Sequence, residues 1–140
     1  MKLGIVDLDT GNLASLVSAL NKLNINFKIC KNSFDFEDVD KIILPGVGAF
    51  KDLMKKINEK NMDKIILAKI DKNVSILGVC VGFQILFSGS NEHGDCKGLG
   101  LIKGNFINFK DESEKIKVPH VGWNECKILN KNKLFQDIED

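Results

Sequence analysis

The chain has 140 residues, 44% hydrophobic and 28% charged, which is the size and composition of one globular domain and not of a disordered segment. Twenty basic residues against nineteen acidic ones leave a net charge of +1, so bulk charge gives no support to a nucleic-acid or membrane-surface role. Every basic residue is Lys, so no guanidinium fork is available, and no apolar run reaches the ~20 residues of a membrane span.

Taken in chain order, Lys2–Asp7 reads as a first strand, mostly apolar and covered on both faces. Asp7 makes the start too short in apolar residues for a signal peptide, so the expected compartment is the cytoplasm. Thr10-Gly11-Asn12 opens a helix in which Leu13, Leu16, Val17 and Leu20 recur at the spacing of one buried face. Asn26–Cys30 alternates and reads as a second strand. Lys41–Leu44 is a third, ended by Pro45-Gly46-Val47-Gly48. Helical spacing returns at Phe50, Leu53, Met54 and Ile57 and again over Asp63–Ile70. Val74–Val79 is an apolar strand, and Gly82–Phe87 begins the next helix.

Strands alternating with helices predict an α/β fold, a doubly wound, mostly parallel sheet flanked by helices with right-handed crossovers. After Gly89 the pattern changes. Ser88–Gly98 reads as a loop, and Leu101–Phe109 and Asn124–Leu129 read as strands separated by the charged turn Lys110–Lys117. This makes the C-terminal part β-rich, with no helix to cover its last strand. No repeat, low-complexity tract or linker appears, so residues 1–140 are expected to form one domain; the short acidic end after an uncovered β pattern either frays or marks an incomplete chain.

The sharpest chemical signal is Gly78-Val79-Cys80-Val81-Gly82 between an apolar strand and a helical run. It is the thiol counterpart of the strand–nucleophile–helix elbow. A nucleophile on a sharp turn needs unusual backbone angles and small neighbours. Cys80 is then expected above the carboxyl edge of the sheet, where open α/β sheets bind ligands, and at a helix N-terminus that lowers thiol pKa. Pro45-Gly46-Val47-Gly48 follows another strand end and can expose backbone N–H groups to a developing oxyanion, although turns of this composition are common. Gln84 and Glu92 follow the elbow closely enough to reach the same pocket, or are a helix-surface amide and a solvated acid.

Cys30 and Cys126 read as small buried hydrophobes. No cysteine pair has metal-ligand spacing, and no metal or cofactor is expected. His120 reads as structural and His93 as solvated; Trp123 is either core or an exposed contact. No His-x-Glu sequence occurs that would give a Cys nucleophile an oriented base.

The chain resembles the glutaminase subunits of imidazole glycerol phosphate synthase, class I triad glutamine amidotransferases of histidine biosynthesis. The resemblance runs the length of the chain, through Gly11-Asn12-Leu13, Leu44-Pro45-Gly46-Val47-Gly48-Ala49-Phe50 and Gly78-Val79-Cys80-Val81-Gly82-Phe83-Gln84. It continues through Gly98-Leu99-Gly100-Leu101-Ile102 and Val118-Pro119-His120-Val121-Gly122-Trp123-Asn124. The elbow and glycine loop mark the superfamily; Pro-His-x-Gly-Trp-Asn points to this subunit type.

The resemblance implies that Cys80 attacks the side-chain amide of glutamine and forms a thioester. It makes the N–H of Val81 and one from the Val47–Gly48 loop the oxyanion donors. Gly48, Gln84 and Glu92 match substrate-binding positions. Asn12 and Trp123 fall in segments facing a (β/α)₈-barrel cyclase/synthase subunit, the heterodimer partner that receives the ammonia. The family's catalytic His and Glu lie downstream of Asp140, so this chain alone is expected to be nearly inactive. Asp7-Leu8-Asp9-Thr10 replaces the usual Asp-Tyr-Gly start of the first loop. Three alternatives stand beside this expectation: a catalytically silent, regulatory subunit; a glutaminase serving surface-sugar synthesis; or a different Cys-elbow hydrolase or isomerase.

Overall fold

A computed structural model describes residues 1–9, 13–112, 117–119, 121–129 and 133–136. Residues 1–108 form one compact unit and residues 109–140 a second.

The first unit is built on four parallel strands in the order β2-β1-β3-β4. β1 is Leu3–Val6, β2 Phe27–Cys30, β3 Lys41–Gly46 and β4 Ser75–Cys80. Helix α1 (Leu13–Lys22) links β1 to β2; α2 (Phe50–Glu59) and α3 (Met62–Asp71) link β3 to β4. The apolar spacings are the cause. Phe50, Leu53, Met54 and Ile57 lie on one stripe of α2, and all four are buried. They meet Val6, Ile42 and Leu44 from the sheet and Met62 and Ile66 from α3. On the opposite face Leu13, Leu16, Val17 and Leu20 of α1 pack on Leu3, Ile5 and Ile43.

Coverage of that second face is incomplete. Ile5 pairs with Ile43 and Ile43 with Leu77, so all three side chains point the same way. α1 buries the first two, while Leu77 and Val79 remain 44% and 43% exposed.

Two readings from the sequence shift at the carboxyl edge. β3 does not stop at Leu44 but continues in register through Pro45, paired with Val79, to Gly46, paired with Cys80. β1 pairs with β3 only as far as Ile43. Beyond that point β3 has a neighbour on one side, the edge setting in which proline is tolerated. The helix expected from Gly82 is a single turn, α4 (Val81–Gln84), because the chain re-enters extended structure at Phe87.

The segment expected to be a loop, Ser88–Gly98, carries two strands. β5 (Phe87–Ser90), β6 (Cys96–Lys97) and β7 (Ile102–Phe106) form a second sheet in the order β6-β5-β7. The polar composition misled because this small sheet is half exposed, and its pairing with β7 is non-local. A T-shaped trio of Phe83, Phe87 and Phe106 backs it, with neighbouring ring centroids 5.2 and 4.9 Å apart.

In the second unit α5 (Phe109–Glu112) falls on the expected charged turn, and a 3₁₀ turn spans Lys133–Phe135. The strand expected over Asn124–Leu129 is absent; these residues form no regular element. Cys126 is accordingly exposed, not buried, since no pleated face is there to cover it. Cys30, at the end of β2, is fully buried as expected. No described helix is long and apolar enough to cross a membrane.

Candidate active site

The carboxyl edge of the sheet brings the two glycine motifs together. Cys80 ends β4, stands opposite Gly46 at the end of β3, and caps α4. Its backbone takes φ 56° and ψ −122°, a region sparsely populated by residues with a Cβ. The turn is therefore as sharp as the elbow motif requires, and the thiol is exposed at its apex.

The flanking glycines are required by close approach. A Cβ at Gly82 would lie 1.9 Å from the carbonyl oxygen of Leu44, and one at Gly78 would lie 2.4 Å from the Cα of Phe83. The α4 backbone thus rests directly on β3 and β4. The helix that Cys80 caps is only four residues long.

The loop after β3 is correspondingly open. Gly48 has φ +94°, a left-handed angle suited to glycine, with nothing near the position of a Cβ. Val47 is 41% exposed. Val47, Gly48, Lys56 and Glu59 help to line a cavity of about 390 Å³ running along α2.

Gln84 lies three residues after Val81 on the single turn of α4, hence on the same face, and is half-buried. Glu92 lies in the turn after β5. Its N–H donates to Ser90 Oγ at 3.2 Å, and its surroundings are Phe50, Lys51, His93 and Cys96. His93 is exposed. Asn12 and His120 lie outside the described residues. Trp123 is fully exposed, which removes the core alternative for it. A cavity of about 450 Å³ lies on the small sheet between Ser88, Asp95, Lys97 and Asn105, without Cys80. Among the described residues no cluster of His, Cys, Asp or Glu is arranged to hold a metal ion.

One group at the same edge was not singled out as a site from the sequence. Asp7, after β1, is nearly buried and pairs with Lys31 Nζ at 3.1 Å, which raises the Lys31 pKa through that bond and charge. Asp9, two residues on, is held below the usual carboxylate range, chiefly by the ammonium of Lys60. The departure at Asp7-Leu8-Asp9-Thr10 was the one signal pointing there.

Comparison with known proteins completes this geometry. The sequence pattern of the family described as class-I glutamine amidotransferase matches residues 4–140. The chain belongs to the class-I glutamine amidotransferases. Among curated amidotransferase relatives, an imidazole glycerol phosphate synthase subunit HisH from Oceanobacillus iheyensis is 42% identical over 133 residues, 95% of this chain and 65% of that protein. Subunit HisH 1 from Campylobacter jejuni strain 81-176 is 39% identical over 140 residues, 99% of this chain and 69% of that protein. The chain thus spans about two thirds of the length of these relatives. A crystal structure of a glutamine amidotransferase shares the fold at TM-score 0.65 and 20% identity, covering 75% of this chain and 55% of that one.

Proposed function

We propose that this amidotransferase chain carries the thiol half of a glutaminase that releases ammonia for imidazole glycerol phosphate synthesis. The observation that carries the reading is the register of Cys80 against Gly46, which sets a strained, exposed thiol beside an open glycine loop. The likeness to HisH subunits supports the substrate and pathway.

In the proposed reaction the Cys80 sulfur adds to the side-chain amide carbon of glutamine, and the carbonyl electron pair moves to oxygen. The N–H groups of Val81 and of the Val47–Gly48 loop hold that oxyanion. Collapse breaks the C–N bond, ammonia leaves with a proton, and water hydrolyses the thioester to glutamate. Gly48, Gln84 and Glu92 bind the glutamine. The base that accepts the thiol proton is assigned to no residue here, since no His-x-Glu pair occurs in the sequence.

The ammonia acceptor we infer is a (β/α)₈-barrel synthase subunit bound as a heterodimer, met by the segments of Asn12 and Trp123. The residues form one amidotransferase domain in this reading, and the cytoplasm is its setting, in keeping with four free cysteines.

Two measurements test the proposal. A chloroketone analogue of glutamine should label Cys80 selectively, and free glutamine should protect it; labelling indifferent to glutamine would favour a different Cys-elbow enzyme. The purified 140-residue chain should release ammonia from glutamine at least about 10⁴-fold more slowly than a complete triad enzyme. Ammonia release at a triad enzyme's rate would mean that a base for Cys80 is present within these residues.

A further inference from the structure

The turn after β1 is tied to α2 by two lysines. Lys56 Nζ donates to the backbone oxygen of Asp9 at 3.0 Å, and Lys60 Nζ pairs with the Asp9 carboxylate. The Asp9 N–H donates to Asp7 Oδ1 at 2.9 Å, Asp7 Oδ2 meets Lys31, and the Asp7 N–H donates to the Cys30 carbonyl at 2.9 Å. Three elements, β1, β2 and α2, are thereby joined at the carboxyl edge.

Asp9 has φ 54°, a left-handed angle that costs a residue with a Cβ about 1 kcal/mol. Glycine would adopt it freely, but glycine has no carboxylate for Lys60.

The lysines sit on a firm support. The stripe Phe50, Leu53, Met54 and Ile57 fixes α2 in the core. Lys56 belongs at once to the tie and to the cavity whose other wall is Val47 and Gly48. With the tie made, its ammonium is turned onto Asp9. With the tie broken, that ammonium is free to enter the cavity, where the space beside Gly48 is open.

We infer that Lys56 and Lys60, acting through Asp9, are positioning residues that set the orientation of the Val47–Gly48 loop opposite Cys80. The pair need not add much stability, since exposed ion pairs contribute little; its effect is geometric. The inference rests on the proposed glutaminase reading for its catalytic consequence, but not for the contact itself.

The test uses the full 140-residue chain with Lys60→Met and, separately, Asp9→Asn, which keeps a side chain tolerant of the left-handed region and removes its charge. The first readout is the amide resonance of Gly48, which should move in both variants while that of Gly4, on β1 away from this edge, does not. An unmoved Gly48 resonance overturns the inference.

The second readout is the ratio of Cys80 labelling rates with two reagents. The chloroketone analogue of glutamine reacts through attack on a carbonyl: the C–S bond forms, the C–Cl bond breaks and chloride leaves. Iodoacetamide reacts by displacement of iodide and needs no oxyanion donor. The ratio should fall about tenfold in each single variant. The charge-swapped chain, Asp9→Lys with Lys60→Asp, should recover most of it. A ratio that is unchanged in the single variants, or that the swap fails to restore, overturns the positioning role. If the wild-type chain shows no preference for the glutamine analogue, the glutaminase reading fails instead, and the Gly48 resonance alone decides whether the tie orients the loop.

Discussion

Cys80 combines a reactive position with a costly backbone. A residue with a Cβ at φ 56° and ψ −122° stores on the order of 1–3 kcal/mol of strain, which the packing of α4 on β3 and β4 must hold. Comparing two thiol-free variants isolates this term. Cys80→Gly is expected to be more stable than Cys80→Ala by about 1 kcal/mol in urea unfolding, because only Ala retains the Cβ. Equal stabilities would mean the elbow is unstrained.

Cys30 illustrates the opposite use of a thiol. It is fully buried, and burial, with a smaller push from the charge of Asp35, raises its pKa to about 11. The folded chain therefore holds this proton more tightly than the unfolded chain, whose thiol titrates near 9.0. The resulting stability is fully present below pH ~9 and is lost as pH rises towards about 11. Unfolding midpoints measured across that window should fall, and the fall should be smaller in Cys30→Ala once other groups are matched. At neutral pH a thiol reagent should modify exposed Cys80 and Cys126 quickly and leave Cys30 untouched until the chain unfolds.

At the scale of elements, the critical contact is backbone on backbone. Gly82→Ala would place a methyl 1.9 Å from the Leu44 oxygen, so α4 must move off β3. The expected cost is about 3 kcal/mol or more, measured by denaturant unfolding, because the obstacle is main chain that no rotamer change relieves. A loss under 1 kcal/mol would mean that α4 does not rest on β3 as described.

How legible these elements were followed burial. α2 was legible because Phe50, Leu53, Met54 and Ile57 recur every three or four positions and all face the core. In the small sheet β7 falls within the strand read at Leu101–Phe109, but β5 could not be read, because its Ser88, Gly89 and Ser90 carry no alternating apolar signal and are held by pairing with distant β7. The single turn of α4 was over-read for a related reason: Ile85 and Leu86 continue an apolar run, yet both are buried after the helix has ended.

At the scale of the whole molecule, the sheet is finished unevenly. α2 and α3 cover one face, whereas α1 covers only the β2-β1-β3 part of the other, leaving Leu77, Val79 and Phe83 more than 40% exposed beside Cys80. An α/β sheet ordinarily buries both faces. This surface should bind a hydrophobic dye and promote self-association of the isolated unit. Replacing Leu77 and Val79 by Ser together should reduce both effects while costing little stability. Undiminished dye fluorescence in that variant would place the exposed apolar surface elsewhere.

By itself the sequence determined the alternation of strands and helices through Cys80, the elbow and the glycine loop. Each is written in local spacing: apolar stripes of period 3.6, strand runs, and glycines at fixed offsets from a cysteine. Tertiary structure alone decided that Gly46 stands opposite Cys80, that Gly82 must be glycine because Leu44 lies against it, and that Asp9 meets Lys56 and Lys60. These contacts join residues dozens of positions apart. Their partners are chosen by strand order and sheet twist, and no local pattern in either segment records the other.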